Sequence, residues 1–101
     1  MAAYVIAQFD VHDVDMYYEY ARKLLAMSGD FGGRLRAAND AEVREGSIPH
    51  LRTIIAEFDT MEQARTWYES DAYQAIINLP QNSTTGHLFM VEGMTMPPRS
   101  N

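Results

Sequence analysis

Three histidines, His12, His50 and His87, stand beside segments that read as strands. Three imidazoles meeting with Asp10 or Asp13 would make a zinc-type ligand set. In an antiparallel sheet of order 4-1-3-2, the first strand ends where the third and fourth begin, which puts all three at one end. No short His-x-x-x-His spacing supports a metal site. The simpler reading is three loop-flanking polar residues that share an end of the sheet, so the expectation is no metal and no cofactor.

Seven of the eight basic residues are arginine, and Arg34, Arg36 and Arg52 fall on two strands expected to pair. A guanidinium fork suits a carboxylate and stays charged without tuning. Arg34 and Arg52 are therefore candidate binders of an anionic ligand. The competing reading has Arg34 and Arg36 guarding an edge strand or pairing with Glu45 and Glu57. Glu57 interrupts the apolar run Ile54-Ile55-Ala56-Glu57-Phe58. A carboxylate there is either paired with arginine or held in a pocket as a general base. Glu92 has the same two readings.

Tyr4, Tyr17, Tyr18, Tyr20, Trp67, Tyr68 and Tyr73 are many polar-tipped aromatics for a small core. Their tips need partners, which suits a half-wet cavity between helices and sheet. Trp67, Tyr73 and Tyr4 are candidate ligand contacts. Tyr20, Glu57 and His50 are candidate acid–base groups. At helical spacing such aromatics also serve as plain core. Nucleophilic catalysis has no support: there is no cysteine and no Gly-x-Ser-x-Gly. Gly29-Asp30-Phe31-Gly32-Gly33 lacks the Lys-Ser/Thr of a phosphate loop.

The elements that must position these groups are legible. Tyr4 to Val11 reads as a strand, and Asp13 as the cap of a helix with Val14, Tyr17, Tyr18, Ala21, Leu24 and Leu25 on one face. Gly29, Gly32 and Gly33 stop it. Arg34 to Asn39 is a weaker strand, residues 40–50 a connection, and Leu51 to Phe58 a strong strand. Thr60 and Gln63 open a second helix that carries Met61, Ala64, Trp67 and Tyr68. Ser70-Asp71 restarts it, and Leu79-Pro80 is expected to end it. QNSTTG reads as loop, His87 to Met94 as the last strand, and residues 96–101 as a flexible tail after a single domain at 1–95.

The order β-α-β-β-α-β predicts an α+β, ferredoxin-like fold: a four-stranded antiparallel sheet with two helices on one face. The strands are apolar on both sides, with Leu51 and Ile55 opposing Ile54 and Phe58, and Leu88 and Met90 opposing Phe89 and Val91. A sheet wetted on one face should alternate. Two helices cover one face only, so a second subunit is the economical cover and a homodimer is expected.

With 101 residues, 47% of them hydrophobic, and a net charge of −6, the chain has room for one modest core. An acidic surface is poorly suited to nucleic acid or anionic lipid. No apolar run approaches the ~20 residues of a membrane span, and the first residues have no basic leader region. A cytoplasmic location is expected.

Spread along the chain are Tyr4-Val5-Ile6, Tyr17-x-x-Tyr20, Gly32-Gly33-Arg34, Val43-x-Glu45-Gly46, Arg52, Glu57-Phe58, Trp67-Tyr68-x-Ser70, Tyr73-Gln74-Ala75 and Val91-Glu92-Gly93. In this order and spacing they resemble, over nearly the whole chain, domain-of-unknown-function family 1330, within the dimeric α+β barrel superfamily. The resemblance implies a dimeric barrel and no particular reaction. Members often carry an arginine shortly after Tyr-Gln-Ala, where this chain has Leu79-Pro80. Superfamily relatives include isomerases and cofactor-free oxygenases. The resemblance thus implies acid–base chemistry on a small organic molecule, anionic if the arginines line its pocket. The alternative is a non-catalytic binding or assembly module. Haem-degrading monooxygenases of this superfamily share a Trp-x-x-Ser-Asp setting like that of Trp67, but their iron-ligating histidine lies further along the helix. Here that stretch reads Ala75-Ile76-Ile77-Asn78, which disfavours haem.

Overall fold

The computed structural model describes residues 1–94; the expected tail at 96–101 lies outside them. Strand β1 (Ala3–Val11) leads through Asp13 into helix α1 (Val14–Ser28). The Asp13 carboxylate accepts from the Met16 N–H at 3.1 Å, and Asp15 adds negative charge to the first turn. A 3-10 turn (Gly29–Phe31) and Gly32, at φ +81°, redirect the chain into β2 (Arg34–Asp40). Only glycine adopts that left-handed φ without cost.

Strand β3 (Arg52–Phe58) is followed by α2 (Met61–Glu69), capped by Thr60, whose hydroxyl accepts from the Gln63 N–H at 3.1 Å. Two short helices follow, α3 (Asp71–Gln74) and α4 (Asn78–Ser83), before β4 (Thr84–Glu92). The sheet order is β2-β3-β1-β4, with every neighbour antiparallel. The ferredoxin-like arrangement is present as expected.

The helices cover one face. Ala3, Val5 and Phe9 of β1 and Phe58 of β3 form the core with Tyr17, Tyr20, Ala64, Trp67 and Tyr73 from the helices. The opposite face carries Tyr4, Ile6, Ile55, Phe89 and Val91, placed together by the register Tyr4↔Val91, Ile6↔Phe89 and Ile6↔Ile55. Phe89 and Val91 are 41% and 46% exposed. The apolar second face inferred from the strand pattern exists, and nothing in the described chain covers it.

Three expectations need correction. On α1, Val14, Tyr18 and Leu25 of the expected apolar face are exposed, whereas Tyr20, which was not counted in it, is buried in the core. Pro80 does not end the helical stretch, and residues 81–86 are not a loop. Pro80 is the third residue of α4, a position whose N–H has no intrahelical acceptor anyway, so proline costs the helix no bond. The helix runs on to Ser83, and the Thr84 hydroxyl donates to the Pro80 carbonyl at 2.6 Å. Strand β4 therefore begins at Thr84, three residues before His87, and ends at Glu92. The Ser83 carbonyl accepts from the His12 and Asp13 N–H groups at 2.6 and 3.2 Å, tying α4 to the start of α1. No helix among the described residues is long and apolar enough to cross a membrane.

Candidate functional site

Between the helices and the sheet lies a cavity of about 490 Å³. Its floor is Val5, Ala7 and Phe9 of β1 with Ile54, Ala56 and Phe58 of β3; its walls include Tyr17, Tyr20, Trp67, Tyr68 and Tyr73. Thr84, Thr85, Gly86 and His87 border its β4 end. Among the described residues, no Asp, Glu, Lys or Arg lines it. The size and lining are those of a pocket for a small, largely apolar molecule.

Local sequence sets the aromatic wall. Ser70 ends α2 and caps α3 at once: its hydroxyl donates to the Trp67 carbonyl at 2.7 Å and accepts from the Tyr73 N–H at 3.1 Å. That single side chain fixes the bend between the helices. The Trp67 and Tyr73 rings consequently pack 4.5 Å apart, with Phe58 against Trp67 at 5.6 Å. Trp67 is 3% exposed, yet its indole Nε1 has no hydrogen-bond partner among the described residues. A buried donor left unpaired costs about 1–3 kcal/mol. A ligand oxygen that accepted from it would recover part of that cost.

Opposite, the Tyr20 and Tyr73 hydroxyls meet at 3.2 Å. Burial pushes both phenols above the usual tyrosine range, and the neighbouring phenols add to the shift at Tyr20. Both stay protonated across any ordinary pH. They serve as hydrogen-bond donors and acceptors, and not as bases.

Of the residues singled out from sequence, the cavity unites Tyr20, Trp67 and Tyr73. The other candidates lie elsewhere. Tyr4 and Glu57 sit opposite one another in the β1–β3 register on the uncovered face. Glu57 is bound by Arg36 at 2.8 Å and approached by Arg34 at 3.8 Å. Arg34 bonds Asp59 at 2.8 Å, and that bond holds its guanidinium still more firmly protonated. The bulge between Leu35 and Ala37 lets both arginines reach one carboxylate. Of the two readings for Glu57, the geometry has the ion pair. Arg52 lies opposite Phe9 and Asp40 at the end of β3, with Asp40 at 4.0 Å. Among the described residues, no arginine lines the cavity.

The histidines do gather toward one end of the sheet. His50 Nδ1 lies 2.8 Å from Asp10 Oδ2, and the His50 and His87 rings meet edge to face at 6.0 Å. His12 turns instead to the Thr85 hydroxyl. Among the described residues, no three His, Cys, Asp or Glu side chains are grouped to hold a metal ion. Sequence reasoning missed Gly86 at the border of the cavity, because residues 81–86 read as loop; the His87 ring lies on the other face, opposite Gln8 and against Phe89. Gly86 is required by close approach: a Cβ there would sit 2.0 Å from the Gln8 carbonyl oxygen. A glycine inside a stretch of Thr and aromatic residues was the available signal.

The fold recurs in solved structures of low sequence identity. A protein of unknown function from Rhodopseudomonas palustris, RPA0582, matches with a TM-score of 0.72 at 12% identity, over 94% of this chain and 84% of its own. A mutant of SnoaB, a cofactor-independent oxygenase from Streptomyces nogalater, matches at 0.65 and 14%, over 97% and 98%. A dimeric ferredoxin-like protein of unknown function from Thermobifida fusca matches at 0.61 and 14%, over 91% of each chain. No curated protein matches the chain in sequence. The model of the domain of unknown function DUF1330 matches residues 2–94, and the chain belongs to that family.

Proposed function

We propose that the protein is a homodimeric, cofactor-free enzyme that performs acid–base chemistry on a small, flat, uncharged organic molecule held between sheet and helices. The observation that carries this reading is an uncharged aromatic cavity in which the buried Trp67 Nε1 has no partner. A carbonyl or phenolic oxygen on the ligand is the acceptor that would complete it. The protonated Tyr20 and Tyr73 are suited to donate to charge developing on that oxygen during proton removal. SnoaB, named as a cofactor-independent oxygenase, supports the reading to the extent that this fold hosts such chemistry. The dimer is supported by the bare apolar strip of Ile6, Ile55, Phe89 and Val91, and by neighbours described as dimeric.

A second reading is binding without turnover. It is favoured by the absence of any carboxylate in the cavity lining and by phenols too weakly acidic to act as bases.

Calorimetric titration with 9-fluorenone, a neutral flat ketone, against fluorene, which lacks the carbonyl, tests the cavity. The ketone is expected to bind about tenfold more tightly, the worth of one buried hydrogen bond. In Trp67→Phe, which has no indole N–H, that preference should vanish. Equal binding of the two molecules to the parent protein would refute the role given to Trp67.

A further inference from the structure

We infer that the outward side of α1 is a docking surface for a second copy of this chain, with the two α1 helices antiparallel across a two-fold axis. This contact is separate from the one proposed through the bare sheet face, and it does not rest on the cavity.

Helix α1 carries two apolar stripes. Tyr17 and Tyr20 belong to the core, and Leu24 and Met27 pack against it. Val14, Tyr18, Ala21 and Leu25 recur at spacings of four, three and four residues, which gathers them on one side of the helix. That side lies roughly a third of a turn away from the first stripe. Val14, Tyr18 and Leu25 are 54%, 61% and 56% exposed. Single apolar residues on a surface mean little, but a row of them over about 16 Å of helix forms a seam. The Tyr18 ring rests against the buried Tyr17 ring at 5.9 Å, so it is held in place before any partner arrives.

The seam is its own complement. Its midpoint falls between Glu19 and Tyr20, with Val14 as far before it as Leu25 lies after it. Tyr18 and Ala21 are related in the same way. Two antiparallel copies therefore set Val14 on Leu25 and the broad Tyr18 on the small Ala21. Each contact is made twice, as an isologous interface requires.

Charge selects the same orientation. Asp15 and Arg22 each follow a seam residue by one position, so they share one flank of it. Neither forms an ion pair among the described residues. Glu19 and Lys23, further round the helix, pair with each other at 3.1 Å. Antiparallel helices bring like flanks together, which sets Asp15 against Arg22 of the second copy and Arg22 against its Asp15. Parallel helices would set that flank against Tyr17 and Leu24, which are uncharged and turned toward the core of their own chain. A seam this short is smaller than a permanent interface, so the contact is weak and grows with concentration.

The chain has no cysteine, so introduced thiols report this contact alone. Copies carrying Val14→Cys are mixed with copies carrying Leu25→Cys and oxidised with diamide; both positions are exposed, so both variants keep the fold. The mixed disulfide is expected to form about tenfold faster than the disulfide of either variant with itself. Arg22→Asp in both partners puts like charges together and should slow it about fivefold, and adding Asp15→Arg to both should restore it. A mixed disulfide that forms no faster than the same-residue ones overturns the inference. So does preferred joining of Leu25→Cys to itself, the mark of parallel helices. If the stripe meets lipid instead, cross-linking stays at the collision rate and Tyr18→Lys releases the protein from phosphatidylcholine vesicles, which also overturns it. Sheet pairing is read separately, from the mass of the unoxidised protein, so either contact can fail without the other.

Discussion

The two faces of the sheet use similar strand residues for opposite ends. On the helix side, Val5, Ala7, Ile54 and Ala56 are short enough to leave space below the helices, and large aromatics wall that space without a single charge. On the uncovered side, Ile6, Ile55, Phe89 and Val91 stand clear of any cover. Charged residues gather at the ends of that side, Arg34, Arg36 and Glu57 at one and Asp10 with His50 at the other. The difference lies in what each surface is shaped to meet. A concave, uncharged face whose indole donor has no partner among the described residues suits a small molecule, whereas a flat apolar strip with polar ends suits another sheet. Charge marks the second face and is excluded from the first, although arginines drew attention to ligand binding.

Breaking the helix side should have the largest effect. Gly86→Val forces a side chain into the Gln8 carbonyl and the Phe9 Cα, which a Cβ alone would approach to 2.0 and 2.6 Å. The β1–β4 pairing must shift, and a loss of roughly 3 kcal/mol in denaturant unfolding is expected. A change below about 0.5 kcal/mol would mean that this close approach does not exist. Ser70→Ala removes the hydroxyl shared by the ends of α2 and α3. It should cost about 1 kcal/mol and weaken fluorenone binding, because the Trp67–Tyr73 wall loses its hinge.

The phenol pair sharpens the comparison through pH. Tyr20 and Tyr73 have raised pKa values in the folded chain, chiefly by burial, so folding favours their protonated forms. Their contribution is fully present below the unfolded tyrosine value of about 10 and declines as pH rises beyond it. Stability followed by denaturant titration should fall above about pH 10, and Tyr20→Phe should flatten part of that fall. An unchanged slope in Tyr20→Phe would place the titrating groups elsewhere.

The smallest effects belong to the uncovered side. Arg34 and Arg36 are 41% and 55% exposed in their side chains, so removing either should leave the denaturation midpoint nearly unchanged. Arg34→Ala should not alter fluorenone affinity, since Arg34 lies outside the cavity. A tenfold loss there would restore arginine to the binding site.

The element order was legible because capping residues mark it directly, as at Asp13, Thr60 and Ser70, and the two-sided strands were legible because they fail to alternate. The aromatic wall was partly legible: Trp67 stood in the stripe read for α2 and Tyr73 followed the Ser70 cap, but the face read for α1 took in exposed Tyr18 and left out buried Tyr20. What was hidden depends on position along the chain. Pro80 looks like a stop signal unless it is known to occupy the first turn of α4, and that misreading concealed the start of β4. With Thr84 to Gly86 placed in a loop, the border of the cavity at the start of β4 was out of view. The arginines misled for a different reason. Sequence gives their charge, but the Leu35–Ala37 bulge and the register against Glu57 decide where that charge goes.

The central claim is that the helix-side cavity takes a neutral ligand. The most direct test titrates 9-fluorenone and fluorenone-2-carboxylate side by side, with Trp67 fluorescence as the readout. The uncharged lining predicts that the neutral ketone binds at least about tenfold more tightly, because no cation in the cavity offsets desolvation of a carboxylate. Equal affinity, or a preference for the carboxylate, would contradict it.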